Sequence, residues 1–139
     1  MSRILGIDHV AFVVQDLEAS CAFYDRLFGA RTHLDYAPEG KSLVRQIALG
    51  GALLSIHRAG NGLELVAARQ PAVGGADLCL RWSGSIESAA ALLREHAIPI
   101  MDGPSRRRTA DGLPAHSIYF RDPDGNLVEL MAADATAVG

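Results

Sequence analysis

Residues 119–129 have the sequence YFRDPDGNLVE, in which a tight turn separates two β-prone runs. The turn is Asp122-Pro123-Asp124-Gly125, where proline at the second position fixes φ and glycine ends the reversal without steric cost. The flanking runs cover about His116–Arg121 and Asn126–Ala132. This stretch therefore predicts two consecutive strands joined by a short turn.

The residues before this turn predict a strand, a helix and a further short strand. Asp77–Trp82 is β-prone, and a helix is expected over Ile86–His96 with Ser85 or Ser83 as its N-cap. A short strand follows near residue 100, where Pro99 restricts it to a sheet edge or to its first residues. The predicted order from residue 77 to residue 132 is thus β-α-β-β-β.

The first half of the chain repeats this order. A helix-like segment, Ala19–Phe28, lies between Asp16 as N-cap and Gly29 as a C-terminal stop. The predicted strands are His9–Val14, Thr32–Tyr36, Ser42–Leu49 and Ala52–Arg58. The first strand of this half aligns with residues 68 positions later, whereas the last strand aligns with residues 74 positions later. A six-residue insertion in one connection of the second half reconciles the two offsets.

The expected fold class is therefore α+β, with two paired β-α-β-β-β modules at residues 4–66 and 75–133 of a single domain, residues 1–139. The 139 residues are 49% hydrophobic, which is enough for a packed core. The net charge of −3 and the absence of a broad basic surface argue against nucleic-acid binding. No apolar run is long enough to span a membrane, so a cytoplasmic protein is expected. Cys21 and Cys79 are interpreted as reduced thiols in the core.

Three stretches resemble the vicinal oxygen chelate superfamily, which includes glyoxalase I, extradiol dioxygenases, and fosfomycin- and bleomycin-resistance proteins. They are IDHVAFVV at residues 7–14, FYDRLFG at residues 23–29 and the signature at residues 119–129. The sequence is most similar to small glyoxalase-like members, over residues 4–133. The resemblance implies a curled mixed sheet around an open cleft, often a divalent metal on the cleft floor, a small-molecule substrate and a homodimer.

The resemblance places metal ligands at His9, in the strand Ala52–Arg58, at Asp77 and at Glu129. His9 opens an alternating strand on an otherwise small and apolar face, where an imidazole needs a partner. Glu129 lies on a face with apolar neighbours, where an inward carboxylate is costly unless it is paired or coordinated. Both residues are therefore predicted metal ligands.

The third ligand is predicted to be His57. The internal alignment places Ser55 opposite Glu129, and His57 lies on the same strand face two residues later. Imidazole is a better ligand than serine for Zn²⁺, Ni²⁺ or Fe²⁺. Asp77 stands where the family often has histidine, and its shorter side chain would reach less far. The predicted set is thus His9, His57 and Glu129 around Zn, Ni, Mn or Fe, with Ser55 and Asp77 as open alternatives.

Tyr119 and Glu129 are the predicted catalytic residues. A phenol at the cleft can aid proton transfer, and Glu129 could leave the metal to act as a base. Tyr119 could equally be an amphipathic core residue with its hydroxyl at the surface. The run Arg106-Arg107-Arg108 is predicted to lie in a loop, either as a clamp for a carboxylate or phosphate or as a solvated charge run.

Three functions remain open at this point. The leading one is a metal-dependent glyoxalase-like lyase or isomerase that chelates a small oxygenated molecule. An extradiol-type dioxygenase with Fe²⁺ on the same ligands is the second enzyme. The third is a metal-free, bleomycin-resistance-like binding protein, which Ser55 and Asp77 at expected ligand positions favour.

Overall fold

The computed structural model describes residues 3–64, 67–69 and 71–134, and it confirms the α+β class. The described chain forms two compact units that divide between Gly74 and Gly75, each with the order β-α-β-β-β. The first unit contains β1 (His9–Val14), α1 (Leu17–Phe28), β2 (Arg31–Tyr36), β3 (Val44–Leu49) and β4 (Ala52–Arg58). The second contains β5 (Asp77–Trp82), α2 (Ile86–Glu95), β6 (Asp102–Arg108), β7 (Pro114–Arg121) and β8 (Leu127–Ala133).

In the first unit, α1 packs on one face of a sheet with the strand order β1-β4-β3-β2. Strands β1 and β4 are parallel, and the other neighbours are antiparallel. The side chain of Asp16 accepts a hydrogen bond from the Ala19 amide at 2.9 Å, and Gly29 ends the helix with φ of 66°. The core between helix and sheet contains Phe12, Val14, Leu17, Tyr24, Leu27, Ile47, Leu54 and Ile56.

The second unit has the equivalent sheet order β5-β8-β7-β6, with β5 and β8 parallel. Ser85 is the N-cap of α2, since its hydroxyl accepts a hydrogen bond from the Ser88 amide at 3.1 Å. The core of this unit contains Ile86, Ala89, Leu93, Ile118, Phe120, Val128 and Leu130. The strands alternate between this core and an opposite face.

The predicted turn of the signature is held by a buried polar network. Asp122 accepts hydrogen bonds from the amide and the side chain of Asn126, at 2.9 and 2.8 Å. The carbonyl oxygen of the Asn126 side chain accepts a hydrogen bond from the Ala76 amide at 2.9 Å. The turn therefore also fixes the start of β5 beside β8.

The strand registers reproduce the internal repeat. His9 pairs with Leu53, 44 residues later, whereas Asp77 pairs with Leu127, 50 residues later. The difference of six residues equals the insertion that the sequence offsets predict. The fold is thus a duplicated unit in which the two parallel strand pairs, β1 with β4 and β5 with β8, are equivalent.

Three predictions made from the sequence were wrong. The second strand of the second unit, β6, begins at Asp102 and not near residue 100, and it includes the arginine run that was predicted to be a loop. Because β6 is the outermost strand, its charged side chains stay in solvent while its backbone pairs with β7. Cys79 lies on the exposed edge strand β5 and not in the core, whereas Cys21 is buried as predicted.

The predicted end of the first module, residue 66, lies outside the described residues. The module boundaries and the single domain therefore stay predictions. Among the described residues, no helix is long and apolar enough to cross a membrane.

Candidate functional site

Each sheet has one face that packs against its helix and one that does not, and every predicted site residue lies on the second kind of face. In the first unit, Ala11 pairs with Ser55 and Val13 pairs with His57 across the parallel strands. Residues paired in this way point to the same side of a sheet. His9, Ser55 and His57 therefore share the face opposite α1.

The two histidines of this face have different surroundings. His9 is 41% exposed, and its Nδ1 lies 2.8 Å from a carboxylate oxygen of Asp8. That contact orients the ring and leaves its other nitrogen available. His57 is half-buried, and its Nε2 lies 3.3 Å from the hydroxyl of Ser55. Burial lowers the pKa of His57 from its ordinary value of 6.5, and the neighbouring His9 lowers it further.

In the second unit, the equivalent face is formed by alternate residues of β5, β7 and β8. Glu129 pairs with Cys79 on one side and with Tyr119 on the other. Ser117 lies two residues before Tyr119 on the same face. The Oε2 atom of Glu129 and the hydroxyl of Ser117 are both buried, and neither has a hydrogen-bond partner among the described residues. Such unsatisfied buried polar atoms are uncommon and require an explanation, for example a missing ion or ligand.

Tyr119 is held by Arg107, a residue that the sequence did not single out from its neighbours. Nε of Arg107 donates a hydrogen bond to the Tyr119 hydroxyl oxygen at 2.8 Å, and its guanidinium carbon lies 5.6 Å from the ring centroid. The hydrogen bond to the Tyr119 hydroxyl raises the pKa of Arg107, which stays a cation. Strand alternation would have selected this arginine if the run had been assigned to a strand.

Cys79 was also missed as part of this face. Although the residue is exposed at the sheet edge, desolvation and then the Glu129 carboxylate raise the pKa of its thiol from 9.0 to about 11. Asp77 lies on the same face two residues earlier and is exposed. The signal in the sequence was the alternation of Asp77, Cys79 and Arg81 along one strand.

The predicted metal ligands divide between the two units. His9 and His57 lie together on the first sheet, whereas Glu129 lies on the second. Within either unit, the described residues do not group three His, Cys, Asp or Glu side chains in a way that could hold a metal ion. Each unit by itself thus offers a partial set of donors.

The sequence model of the Glyoxalase/Bleomycin resistance protein/Dioxygenase superfamily matches residues 6–130. The chain belongs to this superfamily. The glyoxalase domain-containing protein RDO1 of Mycosarcoma maydis is 34% identical over 127 residues, which are 91% of this chain and 68% of RDO1. Virulence protein STM3117 of Salmonella typhimurium is 33% identical over 124 residues, which are 89% of this chain and 81% of that protein. The crystal structure of STM3117 covers 96% of this chain and 100% of its own, with a TM-score of 0.82.

More distant structures share the fold alone. Lactoylglutathione lyase from Agrobacterium tumefaciens has a TM-score of 0.71 at 23% identity, over 94% of this chain and 96% of its own. The antibiotic binding protein TnmS3 from Streptomyces has a TM-score of 0.68 at 24% identity, over 96% and 100%. The fosfomycin resistance protein FosX from Listeria monocytogenes, solved with Mn(II), has a TM-score of 0.65 at 20% identity, over 97% of each chain. The same fold thus occurs in a lyase, in an antibiotic binding protein and in a fosfomycin resistance protein.

Proposed function

We propose that the protein is a metal-dependent, glyoxalase-like lyase or isomerase that acts on a small oxygenated molecule. The observation that carries this proposal is the buried Oε2 atom of Glu129, which accepts no hydrogen bond from the described residues. Glu129 lies on the same sheet face as Tyr119. A buried carboxylate oxygen that accepts no hydrogen bond is destabilising unless a cation compensates it. Metal coordination by Glu129 would remove that penalty.

The residues of the first unit fit the same metal. Asp8 orients His9 as carboxylates orient metal-binding histidines in other proteins. The lowered pKa of His57 keeps its imidazole neutral, which is the form that binds metals. We therefore propose His9 and His57 together with Glu129 as the ligands. A bound divalent cation would chelate two neighbouring oxygens of the substrate and stabilise the negative charge that develops on them.

Tyr119 has the geometry of a proton donor in this proposal. Because Arg107 donates to the Tyr119 oxygen, the hydroxyl hydrogen of Tyr119 stays free for a substrate oxygen. The positive guanidinium also favours negative charge on that phenol oxygen after proton transfer. Glu129 is the proposed base, a role in which its carboxylate leaves the metal to accept the substrate proton.

The proposal is tested by metal content. The full chain is purified without chelator, metals are measured by mass spectrometry, and Zn²⁺, Ni²⁺, Mn²⁺ and Fe²⁺ are offered after dialysis. We expect close to one divalent ion per chain, with large losses in His9→Ala and in Glu129→Gln. His33→Gln is the matched control, because His33 is an exposed histidine on β2 of the same unit. A folded protein that takes up none of the four metals would refute the proposal.

The choice of metal also separates two enzymes. Two imidazoles and one carboxylate are the donor set of many non-haem Fe²⁺ oxygenases. Selective uptake of Fe²⁺, with oxygen consumption on catechols, would therefore favour the extradiol-type dioxygenase over the lyase or isomerase. Retention of Zn²⁺, Ni²⁺ or Mn²⁺ without oxygen consumption would favour the lyase or isomerase.

A metal-free ligand-binding protein is the second candidate, and Ser55 is the observation that favours it. Ser55 is 2% exposed and occupies the register position of the first sheet that corresponds to Glu129 in the second. A serine there is a poor ligand for transition metals. This candidate predicts that the metal-free chain binds small molecules with unchanged affinity in Glu129→Gln. Sedimentation equilibrium would test the homodimer that we propose in either case.

A further inference from the structure

We propose that a basic groove at one end of the second sheet binds the oxyanion group of a small molecule, a phosphate or a carboxylate. The groove has a volume of about 490 Å³. Its lining includes Arg106, Arg107, Arg108, His116 and Asp134. None of these residues belongs to the proposed metal ligands, so the inference stands whether or not the protein binds a metal.

Most of the groove lining lies on the other side of the sheet from Glu129, whereas Arg107 and Ala115 lie on the Glu129 side. Arg106 pairs with His116, and His116 pairs with Ala132, so these residues share a face. Strand alternation places this face on the side where Ile118 and Phe120 pack in the core of the unit. Glu129 and Tyr119 occupy the alternate positions of their strands, so their side chains lie on the opposite face of the sheet. The groove is therefore centred on the face opposite Glu129, and Arg107 links it to the Tyr119 face of the same unit.

The charge of the groove is positive. Three arginines face one carboxylate, Asp134, which lies 2.7 Å from Nδ1 of His116. The chain as a whole has a formal charge of −3, so the groove is a local exception to an acidic protein. An anion would therefore be attracted to this surface specifically.

The three guanidinium groups differ in how far they are already engaged. Arg107 donates to the Tyr119 hydroxyl, and Arg108 donates to the Gly112 carbonyl at 2.8 Å. For the Arg106 side chain, by contrast, the described part of the chain provides no hydrogen-bond acceptor, and the residue is exposed on the edge strand. A planar guanidinium with free donors suits two oxygens of one phosphate or carboxylate. Arg106 is thus the expected primary contact.

The size of the groove indicates what else the ligand contains. The volume lies within the range of pockets for small organic molecules, and it is larger than one phosphate needs. Pro114 lines it beside the charged residues and offers an apolar surface to an organic body. A small molecule with one anionic group fits these features better than an extended polyanion.

Inorganic phosphate is the probe for the test. Phosphate is titrated into the full-length protein, and backbone amide shifts are followed by NMR at low ionic strength. We expect saturable shifts at residues 106–108 and 115–116. Arg106→Gln should weaken binding about tenfold, because it removes a charge-assisted contact. Acetate titrated in the same way shows whether carboxylates bind as well as phosphate.

Two further variants separate specific binding from general electrostatics. Asp134→Asn removes the negative charge of the groove and should tighten phosphate binding by about threefold. Arg94→Gln removes an arginine of α2 outside the groove and should change the affinity by less than about twofold. Shifts that do not saturate, or equal weakening in Arg94→Gln and Arg106→Gln, would overturn the proposal. If Arg106→Gln folds poorly, Arg106→Lys replaces it in the test. Because Arg106→Lys keeps the positive charge, it should retain part of the phosphate affinity.

Discussion

The two units have the same element order and equivalent parallel strand pairs, but their helix-free faces contain different chemistry. The first face has two histidines and a buried serine, whereas the second has a carboxylate, a phenol and a guanidinium. Ser55 and Glu129 occupy equivalent register positions and have unrelated side chains. Duplication therefore explains the fold, and divergence on one face of each sheet explains why neither unit alone offers a complete metal site.

The connection to the last strand of each unit differs as well. In the first unit, β3 and β4 are joined by the two residues Gly50 and Gly51. In the second unit, five residues join β7 and β8, and the buried Asp122 and Asn126 side chains hold them together. The second connection depends on specific polar contacts, whereas the first depends on backbone geometry alone.

Asn126→Ala should have the largest effect on stability of the substitutions considered. Asn126 is fully buried and its side chain bonds both to Asp122 and to the Ala76 amide, so its removal breaks two hydrogen bonds at once. We expect the free energy of unfolding to fall by about 3 kcal/mol. Urea denaturation followed by circular dichroism measures this change.

The control for this prediction is Asn61→Ala in the first unit. The Asn61 side chain accepts one hydrogen bond, from the Leu63 amide, and its Nδ2 has no partner in the described structure. We expect a loss of no more than about 1 kcal/mol. Equal losses in the two variants would show that the signature turn is not a special stabilising element.

The next prediction concerns which side chain of the first face binds metal. His57→Gln should weaken divalent metal binding at least about tenfold, because direct ligands matter at least as much as the residues that orient them. Ser55→Ala should change the affinity by less than about threefold, although Ser55 is the positional counterpart of Glu129. Isothermal titration with Zn²⁺ or Mn²⁺ measures both. If Ser55→Ala lost more metal affinity than His57→Gln, the ligand would be Ser55, the register counterpart of Glu129, and not the chemically better donor His57.

Much of the fold could be predicted because its signals are local. Asp16, Gly29 and Ser85 act at single helix ends, and the internal offsets already contain the six-residue difference in register. The position of β6 could not be predicted in this way. Its residues are one aspartate, one glycine, one proline, one serine and three arginines, and they form a strand because β7 offers a free edge. That stabilisation is tertiary, and no local pattern reports it.

The site was less predictable than the fold for a similar reason. The positions of Glu129 and Tyr119 on one face follow from alternation within their strands, and the register confirms the shared face. The contact of Arg107 with Tyr119 and the effect of Glu129 on Cys79 both join different strands. Such contacts depend on strand order and register, which a single sequence does not specify.

A smaller effect is expected on the reactivity of Cys79. Desolvation, then the Glu129 carboxylate and then Asp77 raise the thiol pKa to about 11. Glu129→Gln should therefore increase the rate of alkylation by iodoacetamide several-fold near pH 8, since the thiolate is the reactive form. Asp77→Asn should give a smaller increase. Mass spectrometry of the modified peptide gives both rates, and unchanged rates would show that burial alone controls this thiol.

The smallest predicted effect is on the pH dependence of stability, and it concerns His57. Its pKa in the folded protein lies below 6.5, mainly because of burial and secondly because of His9. As the pH falls below 6.5, the unfolded chain therefore binds a proton at this residue before the folded chain does. The free energy of unfolding should decrease as the pH falls from about 7 to about 5 for this reason.

His57→Gln should have a flatter profile of unfolding free energy against pH than the wild type when both are metal-free, whereas His33→Gln should retain the wild-type slope. Parallel profiles for wild type and His57→Gln would mean that the imidazole is as well solvated in the folded chain as in the unfolded one, and the case for a neutral, metal-ready His57 would then be lost.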